Sequence, residues 1–381
     1  MSENLPLFAA CAPGLEPLLA VELTALGAAP QAIEGGVEFS GDLGLAMRSA
    51  FRLGTASHLW IRLDTFRCRA PGELERKARA LPWRDWLRAD VPLGLHAASR
   101  ASRVYHTGLI AERVATAIAA ALGAAPPAPE SADAPAARLL VRFERDVCTL
   151  SLEATATPLH RRGYRLDGAK APLREDLAHA LVLASGFTAG DALLDPFCGS
   201  GTIAIEAAAL ARGLAPGRLR PPPLEHTARF DAAAWRAASA TTPPAASPAP
   251  IAASDRDAGA IEAARANAAR AGVAEAIEFG RHAVTAAPWL ERPESAPARG
   301  VLVTNPPYGR RVAAARSLDP LYQVLGHRAA RLPPGWRVAL LAHDPRLARR
   351  TGIRLRAAFT TRHGGLSVTA MIGTAAPATA R

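Results

Sequence analysis

The sequence predicts an α/β protein: a mostly parallel, doubly wound sheet in its second part, preceded by a smaller α+β module. Three observations lead there. From about Pro172 onward, short apolar strands alternate with helical segments. Over the first 65 residues the elements are shorter and run β-α-β-α-β. Two Ala/Pro/Ser-rich stretches, Ala121 to Ala137 and Ala237 to Pro250, are nearly aperiodic and read as mobile loops or linkers.

The elements follow in order. Leu5 to Ala10 is apolar and strand-like. Gly14 to Leu26 places Leu15, Leu18, Leu19, Leu23 and Leu26 at helical spacing. Val37 to Phe39 is a short strand, Asp42 to Phe51 an amphipathic helix, and Leu59 to Phe66 a strand. The pattern restarts at Gly72 with a helix over Glu73 to Ala80, a strand over Val91 to Ala97 and a long helix over Leu109 to Leu122. Strands at Leu139 to Glu144 and Val147 to Glu153 are joined by a turn at Arg145-Asp146. Trp83 and Trp86 read as a packing pair, and His106 as a structural residue in a helix-leading loop.

At 381 residues the chain suits two or three domains. No run of about 18 apolar residues appears, so a membrane span is not expected. Met1 to Pro6 lacks a basic region followed by an apolar stretch and does not read as a signal peptide. Cys11, Cys68, Cys148 and Cys198 are far apart, without metal-ligand spacing, and a reducing cytoplasm is the expected setting, with no metal. The net charge of +11 suits a polyanionic partner, because basic side chains displace counterions from phosphates. Nearly all of it is arginine. Codon bias in a GC-rich genome explains Arg over Lys, but not the excess of basic over acidic residues.

Ala192 to Asp195 is a short apolar strand that ends in an acid and runs into Pro196-Phe197-Cys198-Gly199-Ser200-Gly201-Thr202, then a helix over Ile203 to Ala211. Strand, glycine-rich turn, helix is how an α/β sheet holds a nucleotide-like ligand. Gly199 and Gly201 let the backbone turn and a ligand approach. No Gly-Lys-Ser/Thr ends the loop, which disfavours nucleoside triphosphate hydrolysis. The next strand, Ile251 to Ala253, leads to Asp255, which suits a ribose diol or, equally, the N-cap of the helix through Arg270. The 60-residue gap from Asp195 to Asp255 is explained by an insertion around the Pro-rich stretch.

Gly300 to Thr304 is a buried-strand run that delivers Asn305-Pro306-Pro307-Tyr308-Gly309. The amino group of a base is a poor nucleophile, because its lone pair is delocalised into the ring. Two acceptors on its N–H bonds can hold it and bias the nitrogen toward a tetrahedral shape. The Asn305 side-chain oxygen and the Pro306 carbonyl can form that pair, pre-set by two fixed φ angles. Tyr308 offers a ring on which an extruded base stacks. The chemistry this suits is methyl transfer from a sulfonium to an amino group.

These motifs make the chain resemble the THUMP-domain RNA guanine-N2 methyltransferases, and within them the N-terminal half of the bacterial 23S rRNA branch. The resemblance runs over nearly the whole chain. Besides the glycine loop and NPPYG it rests on Ser102-Arg103-Val104-Tyr105-His106-Thr107, on Leu159 to Arg165, on Ala171 to Glu175 and on Arg362-His363-Gly364-Gly365-Leu366. It implies a Rossmann-like methyltransferase domain over 173–381, a connector over 155–172, a THUMP RNA-binding domain over 66–154 and a ferredoxin-like segment over 1–65. It implies S-adenosyl-L-methionine as cofactor, with Asp195, Gly199 and Gly201 at its methionine part and Asp255 at its ribose. Asn305, Pro306 and Tyr308 fall at the target base. The partner it implies is RNA, rRNA before tRNA. A DNA amino-methyltransferase and a non-catalytic RNA-binding assembly factor are the alternatives. One position departs from the family: after the strand Ile277 to Phe279, Ala283 stands where an acid is expected at the adenine amino group, leaving that contact to backbone or to His282.

Overall fold

The computed structural model describes residues 3–131, 134–166, 173–240, 249–307 and 318–377. In chain order the first elements are β1 (Leu5–Cys11), α1 (Glu16–Ala25), β2 (Gln31–Ile33), β3 (Gly36–Gly41), α2 (Leu43–Arg52), β4 (Ala56–Arg67), α3 (Pro71–Arg79), α4 (Trp83–Trp86), β5 (Leu93–Arg100), α5 (Thr107–Leu122), β6 (Ala137–Glu144) and β7 (Val147–Glu153). There follow α6 (Glu175–Ala184), β8 (Ala192–Asp195), α7 (Thr202–Ala211), α8 (Ala232–Ala238), β9 (Ile251–Asp255), α9 (Ala258–Arg270), β10 (Ile277–Arg281) and β11 (Arg299–Thr304). The last are α10 (Asp319–Ala329), β12 (Gly335–Ala342), α11 (Pro345–Arg350), β13 (Ile353–His363) and β14 (Leu366–Pro377). The chain divides into two compact units.

The first unit comprises Met1–Cys11, Ala20–Leu159 and Arg220–Ala240. Its described strands form one sheet in the order β2-β3-β1-β4-β7-β6-β5. Pairing is antiparallel except between β5 and β6, which are parallel. Alternation sets the inward face: Leu139, Val141 and Phe143 of β6 are fully buried, every second residue. The β6–β7 turn falls on Arg145-Asp146, both with positive φ (50° and 63°), as a two-residue hairpin turn of the right hand requires. Trp83 and Trp86 are both buried. The segment around α8 joins this unit through Trp235, edge-on to Phe51 at 5.4 Å, and through Arg229, 4.5 Å above Trp86.

The second unit comprises Ala12–Leu19, His160–Leu219 and Thr241–Arg381. Its sheet runs β10-β9-β8-β11-β12-β14-β13. The β10–β9, β9–β8, β8–β11 and β11–β12 pairs are parallel, and β14 is antiparallel to both β12 and β13. The chain builds outward from β8 through β9 to β10, then returns to the other side of β8 with β11. The strand order therefore reverses at β8, where such sheets hold ligands beyond their carboxyl ends. The core at that reversal is apolar, with Leu194, Ala252, Leu302, Trp336 and Leu340 all nearly sealed from solvent.

Beneath this layer lies a buried charge cluster. Glu206 of α7 sits 3.5 Å from Arg162 and accepts from the Tyr164 hydroxyl at 3.1 Å, with His179 Nδ1 of α6 also at 3.1 Å. Burial pushes its carboxyl up, but Arg162, His179 and Tyr164 overcome that and hold it at about 2. The cluster ties the segment before α6 to both helices. Because the folded pKa lies below the unfolded one, its contribution is full above the ordinary glutamate value and disappears as pH falls toward 2. Glu206→Leu leaves Arg162 buried against lost charge and should cost about 3–5 kcal/mol in urea unfolding at pH 7; an unchanged midpoint would contradict this role.

Candidate active site

Three strands end side by side at the reversal. Asp195 closes β8, Asp255 closes β9, and Asn305 follows β11. Since β8 lies between β9 and β11 with all three parallel, the sheet brings together the acid, the second acid and the amide that the sequence scatters over 110 positions.

The glycine loop begins where β8 stops. Cys198 N–H donates to the Ser254 carbonyl at 2.9 Å and Gly201 N–H to the Cys198 carbonyl at 2.8 Å. Asn267 of α9 donates from Nδ2 to the Ser200 carbonyl at 3.1 Å. Gly199 and Gly201 both have positive φ, 51° and 83°. They serve different ends. A Cβ on Gly201 would stand 3.0 Å from the Ala264 Cβ, so that glycine is needed for helix packing. A Cβ on Gly199 would meet nothing within 4 Å, so this backbone faces open space where a ligand can lie.

Asp195 is fully buried. Its Oδ1 accepts from the Thr304 hydroxyl at 2.7 Å and from Phe197 N–H at 3.2 Å. Its Oδ2 is buried with no hydrogen-bond partner among the described residues. Burial therefore pushes the carboxyl up to about 7, with the neighbouring Asp255 charge adding to it against the two hydrogen bonds. An unsatisfied buried carboxyl at a ligand-binding edge suits a cationic group on the ligand.

Asp255 does not cap the following helix. Its Oδ2 accepts from Gly199 N–H at 3.1 Å and its Oδ1 from Asp257 N–H at 3.0 Å. The cap is Asp257, whose side chain accepts from Gly259 and Ala260 N–H. Of the two readings the sequence leaves open, capping passes to Asp257, and Asp255 is left facing the glycine loop.

Asn305 Oδ1 is buried and has no hydrogen-bond partner among the described residues. Pro306 is buried and Pro307 exposed. The Tyr322 hydroxyl of α10 reaches the Pro307 carbonyl at a long 3.4 Å. Tyr308 lies outside the described residues, as do Arg310 and Arg311. At the end of β10, Ala283 is exposed, and the His282 ring packs over Gly280, where a Cβ would come within 2.4 Å of it. Burial pushes the Cys198 thiol well up, so it is no nucleophile at neutral pH.

Sequence reasoning missed Thr304, Asn267 and Tyr322. Thr304 reads as an ordinary β-branched strand former, and only the β8–β11 pairing turns its hydroxyl onto Asp195. The stray acceptors Asp195 Oδ2 and Asn305 Oδ1 leave room for two kinds of partner: a cation, and a neutral N–H donor.

The Asp195–Thr304 bond has a direct test. Thr304→Val removes a hydrogen bond that lowers the carboxyl's pKa, so carboxyl NMR should show Asp195 titrating near 7 in the wild type and higher in the variant. A wild-type midpoint near 4 would contradict the burial argument. The raised value also means that this group costs stability as pH rises from about 4 to 7, the reverse of Glu206.

Known proteins resemble this chain in sequence and in fold. A family model described as "RMKL-like, methyltransferase domain" (UPF0020) matches residues 162–371. A second, "RlmL ferredoxin-like domain", matches residues 6–59. The "Ribosomal RNA large subunit methyltransferase K/L" of Syntrophotalea carbinolica is 35% identical over 384 residues, covering 96% of this chain and 53% of that protein. The protein of the same name from Chromohalobacter salexigens is 33% identical, covering 96% of this chain and 52% of that protein. The chain thus spans about half the length of the curated relatives it matches. A solved structure, "SMU.472, a putative methyltransferase complexed with SAH", covers 100% of both chains with a TM-score of 0.86 and 25% identity. With the family model matching more than half of the chain over the unit that carries Asp195, Asp255 and Asn305, the chain belongs to the RMKL-like methyltransferase-domain family.

Proposed function

We propose that this chain methylates the exocyclic N2 amino group of a guanine in RNA, with 23S ribosomal RNA as the substrate and S-adenosyl-L-methionine as the donor. The observation that carries the reading is Asn305 Oδ1, a buried acceptor without a partner among the described residues, at the carboxyl end of β11 beside the glycine loop.

The residues present fit the donor. S-adenosylmethionine, when bound, supplies a methyl group on a sulfonium. Asp195, Gly199 and Gly201 hold its methionine part: the Gly199 backbone leaves room, and the uncompensated Asp195 carboxyl answers the ligand's positive charge. Asp255 faces the ribose hydroxyls with lone pairs beyond those engaged by the Gly199 and Asp257 amides. Asn305 Oδ1 and the Pro306 carbonyl accept the two N–H bonds of the target amine and orient its nitrogen. The stiff Asn-Pro-Pro turn keeps these acceptors in place before the base arrives. Tyr308 stacks on the extruded base.

The address on guanine N2 draws its support from the resemblance alone, and the address on large-subunit ribosomal RNA draws it also from the names of the two curated relatives. The solved structure with SAH supports the donor. RNA is gripped by the front part of the chain, with a ferredoxin-like segment over 1–65 and a THUMP domain over 66–154. A connector over 155–172 leads to the catalytic domain over 173–381, and the protein works in the cytoplasm. Among the described residues no helix is long and apolar enough to cross a membrane.

Asn305→Ala should lower turnover by about a hundredfold or more while RNA affinity stays at the wild-type value; retained turnover would remove Asn305 from the chemistry. The affinity for RNA should fall steeply and linearly on a log-log plot against salt, and a flat response would make the +11 charge a matter of composition alone. Mass spectrometry of modified nucleosides from a deletion strain should show loss of N2-methylguanine from 23S rRNA. Loss from tRNA instead moves the address, and loss of a different base overturns the guanine assignment.

A further inference from the structure

We infer that one corner of the first unit, built from the end of β4, the end of β5 with the loop to α5, and the β6–β7 turn, is a contact surface for an unpaired segment of RNA, with Tyr105 as its stacking residue.

The corner stands out first by its backbone. Five non-glycine residues in the described chain have positive φ, and three of them, Ala101, Arg145 and Asp146, meet here. Such conformations are sparsely populated, persist only where surroundings over-determine them and gather at functional places. The surroundings do so here. Asp146 N–H donates to the Ser102 hydroxyl at 3.0 Å, Arg103 N–H to Asp146 Oδ1 at 2.8 Å, and Cys68 N–H to the Asp146 carbonyl at 2.8 Å. Arg145 N–H donates to the Arg100 carbonyl at 3.2 Å. One aspartate thus locks three chain segments together.

What the locked corner displays is positive charge and one aromatic ring. Arg69, Arg100 and Arg103 have side chains 55%, 79% and 69% exposed, and Arg145 is exposed beside them. Asp146, shared by Arg69 at 3.4 Å and Arg103 at 4.0 Å, and Glu144, 4.0 Å from Arg100 and 2.7 Å from Arg142, offset part of this charge and leave the corner net positive. Val104 is buried and its carbonyl accepts from Ser99 Oγ at 2.8 Å, which fixes the loop and turns the next residue out. Tyr105 is 70% exposed, alone among the aromatic side chains of the described residues in being a large hydrophobic left in solvent. Its ring lies 5.4 Å from that of His106 at an interplanar angle of 35°. His106 is exposed as well; it stands at the N-cap position of α5, where its carbonyl accepts from Ile110 N–H at 3.0 Å.

An exposed ring among solvent-facing guanidiniums suits a flexible polyanion with flat faces. Bases stack on the tyrosine whatever their identity, and arginines follow the phosphates. A protein partner is disfavoured, since an interface core needs a contiguous apolar patch and the corner offers a single ring. A base-paired helix hides its faces and has no use for Tyr105. The corner therefore takes single-stranded RNA flanking the target nucleotide. This rests on the RNA reading above and extends it to a second contact.

The test uses the full chain and a fluorescein-labelled oligouridylate of about twelve nucleotides, with its deoxy counterpart as competitor. In fluorescence anisotropy Tyr105→Ala should weaken binding about tenfold and Tyr105→Phe should keep it, because stacking needs the ring and not the hydroxyl. Arg100→Glu should weaken binding and make the salt slope shallower by about one. Wild-type affinity in both Y105A and R100E, with RNA still bound and methylated, overturns the corner and leaves the RNA reading standing. Loss of affinity in Y105A with no methylated RNA found does the opposite. Preference for the deoxy strand overturns the assignment to RNA.

Discussion

A single carboxyl organises the catalytic edge. Asp195 is sealed in the sheet at the point where strand order reverses, with one oxygen bonded to Thr304 and to the Phe197 amide and the other bonded to nothing. The bond to Thr304 ties β8 to β11 across the reversal, and the amide of Phe197 starts the glycine loop. From the loop, Gly199 N–H reaches Asp255 at the end of β9. The side-chain bonds that link the three strand ends thus pass through Asp195 and the loop that starts beside it. Leaving its second oxygen unsatisfied costs free energy in an apolar surround. That cost keeps the carboxyl half-protonated near neutrality and ready for a positive charge.

The contrast with Glu206 shows that burial alone does not decide what a carboxyl does. Both groups are fully removed from water. Glu206 is surrounded by a guanidinium, an imidazole and a hydroxyl and stays ionised far below neutral pH. Asp195 has two hydrogen bonds and a like charge nearby and is raised instead. The first arrangement is complete and serves the fold. The second is incomplete among the described residues, which is the arrangement a cationic ligand group would complete. The two are joined through the same layer: Arg270 holds the Tyr164 carbonyl at 2.7 Å and Asn267 Oδ1 at 2.5 Å, and Asn267 in turn holds the Ser200 carbonyl.

The first unit uses strain where the second uses buried charge. Its sheet follows ordinary alternation through β6 and β7 and then turns on two residues that carry side chains at positive φ. Asp146 spends its amide, carbonyl and carboxylate on holding that turn against its neighbours. The outcome is a braced rim with exposed arginine heads. Rigidity in the backbone lowers the ordering cost when a flexible chain docks on it.

Much of this was legible in the sequence. Local signals carried it: the strand Ala192–Asp195 with its glycine turn, the strand Arg299–Thr304 with its stiff Asn-Pro-Pro exit, and the turn at Arg145-Asp146 are each specified by adjacent residues. Steric freedom at glycine and fixed φ at proline do not depend on distant chain, so these readings survive folding. What depends on pairing was not legible. No local pattern says that Thr304 will face Asp195, that Asp257 rather than Asp255 will cap α9, or that the segment around Trp235 will join the first unit against Phe51. Sequence alone fixed the residue types at the strand ends. Only the tertiary structure set their charge state and their neighbours, because desolvation and hydrogen-bond partners come from strands more than 100 positions apart.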